Sequence, residues 1–386
     1  MMRPMARFAL LVLVACAIWA SPVFAADSTS PSSPAPAGIA VDSDGNVYVT
    51  DYALDRVVKF GPDGTVLGQW GGSGNAVGQF SGPFGVAVDA NNTVYVVDQL
   101  NNRVQRFATD GTALGAWGTA GAAAGDLRTP FGVAISSGRV YVADFGNDRV
   151  DVFGTDGSLL GMFGSRGTGD GQFQRPAGVA VTGDGTLYVT DHFNDRVEKF
   201  AGDGHFQAQI GTLNSASQFA TSSTGTPTAI PSATASTPTV VATATVPATA
   251  TAAIAATSSP TVIGSLVPTV SVSATPTLAA AAVAPATPDV QLQRPEGIAI
   301  AVDGNVWVAD YGRDRVVKLS GEGRLLQAWG SHGTGAGEFV GPKGVAVDGS
   351  LGRIYVADTG NARIQWLAPD GTEATWPMPP VITTGS

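Results

Sequence analysis

Six aspartates are each followed, five residues later, by an arginine: Asp51 and Arg56, Asp98 and Arg103, Asp144 and Arg149, Asp191 and Arg196, Asp310 and Arg315, Asp358 and Arg363. A guanidinium can fork onto a carboxylate or onto loop carbonyls while the carboxylate accepts turn N–H groups. Catalysis needs such a residue once, whereas a turn staple is needed in every copy of a repeated unit. The regularity therefore assigns these pairs to structure. As exposed pairs they are expected to contribute about 0 to 1 kcal/mol each, mainly by fixing loop geometry.

Residues that change from copy to copy are the informative ones. The position after each aspartate holds Tyr52, Gln99, Phe145, His192, Tyr311 and Thr359. A second variable position, between a recurring proline and a recurring glycine, holds Ala37, Phe84, Phe131, Ala177, Glu296 and Lys343. The histidines are His192, His205 and His332. A catalytic zinc needs three convergent ligands, and this distribution does not place them. Asp42-Ser43-Asp44-Gly45-Asn46 resembles the start of a calcium loop, yet it falls in a hairpin turn and lacks the later bidentate Glu. No nucleophile elbow or phosphate-binding loop occurs in strand-to-helix context, and no cofactor is expected.

The elements that carry these residues also repeat. One block of text starts at Pro36, Pro83, Pro130, Pro176, Pro295 and Pro342, most spacings being 47 residues and one 46. Each copy holds four short runs rich in Val, Ile, Tyr, Phe and Trp, separated by turns such as Asp44-Gly45-Asn46, Asp63-Gly64, Asp110-Gly111, Asp156-Gly157 and Asp370-Gly371. Asp-Gly and Gly-Asn supply the positive backbone angles of tight hairpins, so each copy reads as a four-stranded antiparallel sheet. One such sheet cannot bury both faces alone. Six stacked radially can, and the period predicts an all-β, six-bladed propeller. Trp70, Trp117, Phe163, Trp329 and Trp376 recur at one position and are assigned to packing between blades.

The text Pro-x-Gly-Val-Ala-Val-Asp, Val-Tyr-Val-Ala-Asp, Asn-x-Arg-Val and Trp-Gly resembles the NHL repeat, whose members build six-bladed propellers. The resemblance implies the fold, while the family's functions range over RNA binders, sensor domains, lyases and scaffolds. Some NHL-like propellers are lyases that hold an axial metal with several histidines. A calcium-dependent propeller hydrolase would use axial carboxylates, and Glu296 is the one acidic residue of the second variable set.

In a four-stranded meander, turns alternate between faces, so both variable sets share one face. Tyr52, Phe84, Phe131, Phe145 and Tyr311 form an aromatic rim of loop residues, to which Gln99, His192, Glu296, Lys343 and Thr359 add polar groups. That mix fits a binding cleft at an axial mouth. The expected function is a non-enzymatic recognition or scaffold module for a small molecule, glycan or protein. The alternative is a metal-dependent lyase or calcium-dependent hydrolase.

The chain of 386 residues has a formal charge of −10. Nucleic-acid affinity comes largely from Lys and Arg neutralising phosphate, so a nucleic-acid partner is not expected. Arg3 and Arg7 precede an apolar run from Phe8 to Ala20 and a small-residue site ending at Ala25, which reads as a secretory signal over residues 1–25. Thirteen apolar residues fall short of the roughly 20 that span a bilayer, so no transmembrane span is expected after cleavage. Leu13-Val14-Ala15-Cys16 also resembles a lipobox, which would lipidate the single cysteine, Cys16, although Ala17 to Ala20 stay apolar. The expected location is extracellular or at the cell surface.

A linker at residues 26–35 leads into blades one to four at 36–211. Residues 212–290 are rich in Ala, Thr, Pro and Ser, with no charge before Asp289, and read as a disordered insert or an O-glycosylated spacer. Blades five and six follow at 291–376, then a tail at 377–386. Blades one and six are expected to close by face packing, without strand exchange.

Overall fold

Valine-rich runs closed by Asp-Gly turns form 24 strands in six four-stranded antiparallel sheets, the blades of a propeller. In blade 1 the strands are Pro36–Val41, Val47–Asp51, Arg56–Phe60 and Val66–Gly71, paired in chain order. Second strands are buried along their whole length because both faces pack against neighbouring blades, whereas outer strands are half exposed. The computed structural model describes residues 33–211, 290–368 and 373–380. Residues 1–32, with the stretch read as a signal and Cys16, residues 212–289 and the Asp370-Gly371 pair lie outside the described residues. No helix among the described residues is long and apolar enough to cross a membrane.

Inner strands pack on one another all round the axis, the first against the sixth as well as the second. The contact is made at six glycines. A β-carbon on Gly38 would collide with the Phe84 carbonyl oxygen, and Gly85, Gly132, Gly178, Gly297 and Gly344 face the carbonyls of Phe131, Ala177, Glu296, Lys343 and Ala37 in the same way. Only glycine lets two inner strands approach this closely.

The single 46-residue spacing has a local cause. Ser137 and Gly138 form a tight turn with φ of 51° and 74° between Val133–Ser136 and Arg139–Asp144. This two-residue hairpin continues a ladder in regular register from Val133 to Ser136. Ahead of that strand the Phe131 amide donates to the Ala143 carbonyl and the Ala143 amide to the Gly132 carbonyl, two residues opposite one, as in the register shift after Pro in the other inner strands.

Six hydrophobic clusters fill the gaps between blades, and each contains one plug from outside the strands or at a strand end. Phe80, Leu127, Phe173, Leu292 and Phe339 come from blade-to-blade connections. The sixth plug is Met378, packed with Ile39, Val58 and Phe60 of blade 1 and Tyr355 and Ile364 of blade 6. Trp376 stacks on Phe60 at 5.9 Å across the same junction. Closure is therefore by face packing, as the sequence implied, but the C-terminal residues take the place of a blade-to-blade loop. The Arg56 guanidinium donates to the carbonyls of Pro379 and Pro380, where arginines of other blades reach loop carbonyls.

Val290, read as the last residue of the insert, is buried in the junction of blades 4 and 5. Gly211 lies beside it, its β-carbon position 3.2 Å from the Val290 carbonyl oxygen. The ring is thus complete without the intervening residues. Met378→Ala is expected to cost about 2–5 kcal/mol, as buried Met truncations do. Replacing residues 212–289 with a roughly tenfold shorter loop should instead raise stability by about 2 kcal/mol through loop closure. Thermal melts of both variants check this; a Met378→Ala variant as stable as the parent would refute the plug.

Candidate functional site

Tight turns after the second strands aim one side chain of each blade at the axis. In blades 3 to 6 they are 3-10 turns, Phe145–Asn147, His192–Asn194, Tyr311–Arg313 and Thr359–Asn361. Each is ended by a left-handed residue, Asp148, Asp195, Asp314 and Ala362. His192 Nδ1 lies 3.4 Å from the Pro295 carbonyl oxygen, and Thr359 Oγ1 donates to that of Pro36 at 2.6 Å, so these two turns also tie blade 4 to blade 5 and blade 6 to blade 1.

The two variable sets meet in a chain of ring contacts round the mouth. Tyr52 and Phe84 have centroids 6.2 Å apart, Phe84 and Phe131 4.3 Å, and Phe131 and Phe145 4.0 Å in a stacked pair. Phe145 continues to His192 at 6.1 Å, and His192 to Tyr311 at 6.4 Å. Lys343 completes the circuit, its Nζ 5.9 Å from the Tyr311 ring, 5.1 Å from Phe84 and 5.8 Å from Tyr52. Each cation–π contact of this kind contributes about 0.5 to 2 kcal/mol, more as the site is desolvated.

Below the rings the axis narrows to a throat of about 60 Å³ lined by the axial glycines, Ala37, Ala177, Val133, Ile298 and the side chains of Glu296 and Lys343. Glu296 is 6% exposed, and its Oε2 has no hydrogen-bond partner. Burial raises its carboxyl to about 6, opposed by the positive charge of Lys343. Burial also lowers His192 to about 4, helped by Arg294 and Lys343, so the imidazole is neutral at pH 7. Burial raises the Tyr52 and Tyr311 phenols.

The expected rim was one of projecting loop residues. Phe84, Gln99, His192 and Glu296 are instead buried, because the ring packs its own members against each other. Thr359 spends its hydroxyl on the next blade. His205 and His332 are exposed and lie beside Asp203 and Asp314, each at 2.9 Å. Among the described residues no three His, Cys, Asp or Glu side chains converge. The Asp42 carboxylate accepts from the amides of Asp44 and Asn46 and from Tyr48, which makes the calcium-like stretch a self-capped turn. Two cations escaped the sequence reading. Arg175 lies 5.2 Å from the Phe145 ring centroid, and the positive charge of Arg294 acts on His192 and Tyr311. Both immediately precede the recurring proline, which is the signal that could have found them.

The NHL repeat family matches residues 35–60, 173–200, 292–319 and 339–367, the first three strands of blades 1, 4, 5 and 6. NHL repeat-containing protein 3 of Homo sapiens is 34% identical over 87 residues, 22% of this chain and 25% of that protein. Peptidylglycine alpha-amidating monooxygenase of Rattus norvegicus is 39% identical over 87 residues, 21% of this chain and 9% of that protein. The match thus spans a quarter or less of these relatives. Among solved structures, a streptogramin B lyase superposes with a TM-score of 0.52 at 13% identity, covering 91% of this chain and 85% of that one. A gluconolactonase from Xanthomonas campestris does so with 0.51 at 15% identity, covering 90% and 88%. At these identities the likeness is one of fold.

The recurring Asp–Arg pairs sit away from the axis and differ from the expected exposed pairs. All six aspartates are fully buried, one oxygen taking a backbone amide of the preceding connection, as Asp98 takes Ser81 and Asp358 takes Val340. The other oxygen faces the arginine at 2.7–3.4 Å. Removing one partner of a buried pair costs about 3–5 kcal/mol, well above the surface value. Seven residues after the aspartate, blades 2 and 6 carry Gln105 and Gln365, whose amides bridge a loop amide and a loop carbonyl. Blades 3 and 4 carry Asp151 and Glu198 there, so one guanidinium faces two buried carboxyls. Burial, against the pull of the arginine, lifts Asp151 to about 7 and Glu198 to about 8. Glu198 holds a proton in the folded state that an unfolded glutamate, near 4.3, has lost. Its stabilisation is fully present below about pH 4.3 and lost as pH rises through about 8. Glu198→Gln, which can copy Gln105 and Gln365, should raise the melting midpoint at pH 8 and flatten its fall between pH 5 and 8. Midpoints that track the parent across that range would contradict the assignment.

Proposed function

The chain is a six-bladed propeller of NHL repeats, and on that premise we propose that it is a recognition module that binds a small molecule, glycan or protein segment at its axial mouth, outside the cell, without catalysing a reaction. The observation that carries this reading is the unbroken circuit of rings from Tyr52 to Tyr311, closed by Lys343. Aromatic walls with a few convergent polar groups are the usual make-up of a ligand site. A throat of about 60 Å³ is far below the roughly 300–1,000 Å³ that encloses a whole drug-sized ligand. Recognition therefore takes place on the ring, with at most a small head group below it. The Arg3-to-Ala25 signal pattern supports an extracellular location.

An axial-metal enzyme is the competing reading, since a lyase and a lactonase share the fold. In this throat the one carboxyl, Glu296, stands beside Lys343, whose charge opposes a cation.

Because Phe84 and His192 are buried, Tyr52, Phe145 and Tyr311, all half-buried, separate binding from folding. A triple alanine variant at these three positions is expected to lose at least tenfold in affinity for any ligand found by screening, while its far-UV circular dichroism stays that of the parent. Unchanged affinity would place recognition elsewhere. In a parallel melt, chelator treatment is expected to leave the midpoint unmoved. A fall that calcium or zinc reverses would favour the metal-enzyme reading, because a ligand at 100 times its Kd adds about 2.7 kcal/mol.

A further inference from the structure

Two ionisable groups line the throat without an ionic partner, the buried Glu296 and the half-buried Lys343. Glu296 is 6% exposed, and its Oε2 is out of contact with water and unpaired. Among the described residues Lys343 has aromatic faces around its ammonium but no salt bridge, and it leaves its donors for something else. Unpaired buried polar groups cost about 1–3 kcal/mol, more when charged, so a pair left open on one small cavity marks a place that a ligand completes.

Charge at the mouth decides the sign of that ligand. The protein is acidic overall, yet Lys343, Arg175 and Arg294 gather on this face. Four aspartates stand at the same mouth, Asp55, Asp148, Asp195 and Asp314, each with one carboxylate oxygen accepting a backbone amide, those of Gly82, Arg175, Arg294 and Gly341. Their charges offset those of Arg175 and Arg294, which leaves Lys343 as the cation on the throat itself. His192 is neutral, and Tyr52 and Tyr311 remain protonated phenols. The adjacent inner strands contribute Ala177, Gly178 and Gly344 and no further charge. An ammonium ligand would meet the Lys343 ammonium at the throat and an aromatic cage that Lys343 already fills.

Resting on the reading that the mouth binds a ligand, we propose that the ligand is an organic carboxylate whose head enters the throat between Lys343 and Glu296 and whose apolar body lies on the aromatic ring. Lys343 supplies the counter-charge. Glu296, as the neutral acid, donates its O–H to the ligand carboxylate, and no covalent step is involved. The Glu296 carboxyl is already lifted by burial to about 6. A bound anion lifts it further, so binding above that pH takes up a proton. Affinity then falls by up to about tenfold per pH unit above pH 6.

The test is isothermal titration of the whole chain with 3-phenylpropionate, 3-phenylpropanol and 3-phenylpropylamine at pH 5.5 and 8.0. The acid should bind at least tenfold more tightly than the alcohol or the amine, and more tightly at pH 5.5. Lys343→Met should weaken it at least tenfold at both pH values, and Lys343→Arg should retain it. Glu296→Gln, which keeps a donor but cannot ionise, should bind equally at both values and more tightly than the parent at pH 8.0. Melts of each variant establish that it is folded. Alcohol or amine binding that equals the acid, or acid binding that ignores pH and Lys343→Met, overturns the carboxylate assignment. If such binding is nonetheless lost in the Tyr52, Phe145 and Tyr311 triple variant, the mouth remains the binding surface and only the ligand class is wrong. Absence of acid binding at both pH values also overturns the assignment, while the wider screen of the triple variant judges the mouth separately.

Discussion

Six times in a cycle, from Gly38 against Phe84 to Gly344 against Ala37, an inner-strand glycine meets the carbonyl of the next blade so closely that a β-carbon would collide with it. This contact fixes the pitch of the ring. A side chain at any of the six would push two blades apart, and in a closed ring one displaced junction must be absorbed by the other five. The same contact sets the bore of the throat. It also determines who stands at the mouth, because the carbonyl that meets each glycine belongs to Ala37, Phe84, Phe131, Ala177, Glu296 or Lys343. Thr190 adds a hydroxyl bond of 2.6 Å to the Glu296 carbonyl, so the backbone that bears the throat carboxyl is held from the preceding blade.

Further out, stability comes from plugs and buried ion pairs. Each junction needs an apolar side chain from the connection, and five connections supply one from sequence that lies between two blades. The sixth junction has no such connection, since blade 6 ends the chain of repeats. Met378 and the carbonyls of Pro379 and Pro380 fill the equivalent place and satisfy Arg56. Ring closure is thus a matter of non-covalent packing between residues about 320 apart in sequence. That large separation makes this junction the one with the greatest loop-closure cost.

Much of the fold was legible because a repeat writes the same instruction several times. The 46- and 47-residue spacing, the Asp-Gly turns and the alternation of apolar runs give the blades, their number and their order. Even the single short spacing has a local meaning, the tight hairpin at Ser137-Gly138. The members of the mouth were also legible, since constant positions mark the frame and variable positions between them mark what the frame presents. Two of its cations, Arg175 and Arg294, went unread because the position before the proline belongs to neither of the two variable sets.

The sequence by itself determined the repeat, the turn chemistry and the list of side chains that share the loop face, because these depend on neighbours within one blade. Only the tertiary structure decided their environment. Phe84, His192 and Glu296 are buried because rings from different blades close over them, and Lys343 is caged because Tyr52, Phe84 and Tyr311 arrive from three other blades. Burial and net charge within a few ångströms set whether a carboxyl such as Glu296 or Glu198 keeps its proton. Those quantities are sums over residues remote in the chain, and no spacing within a single repeat encodes them.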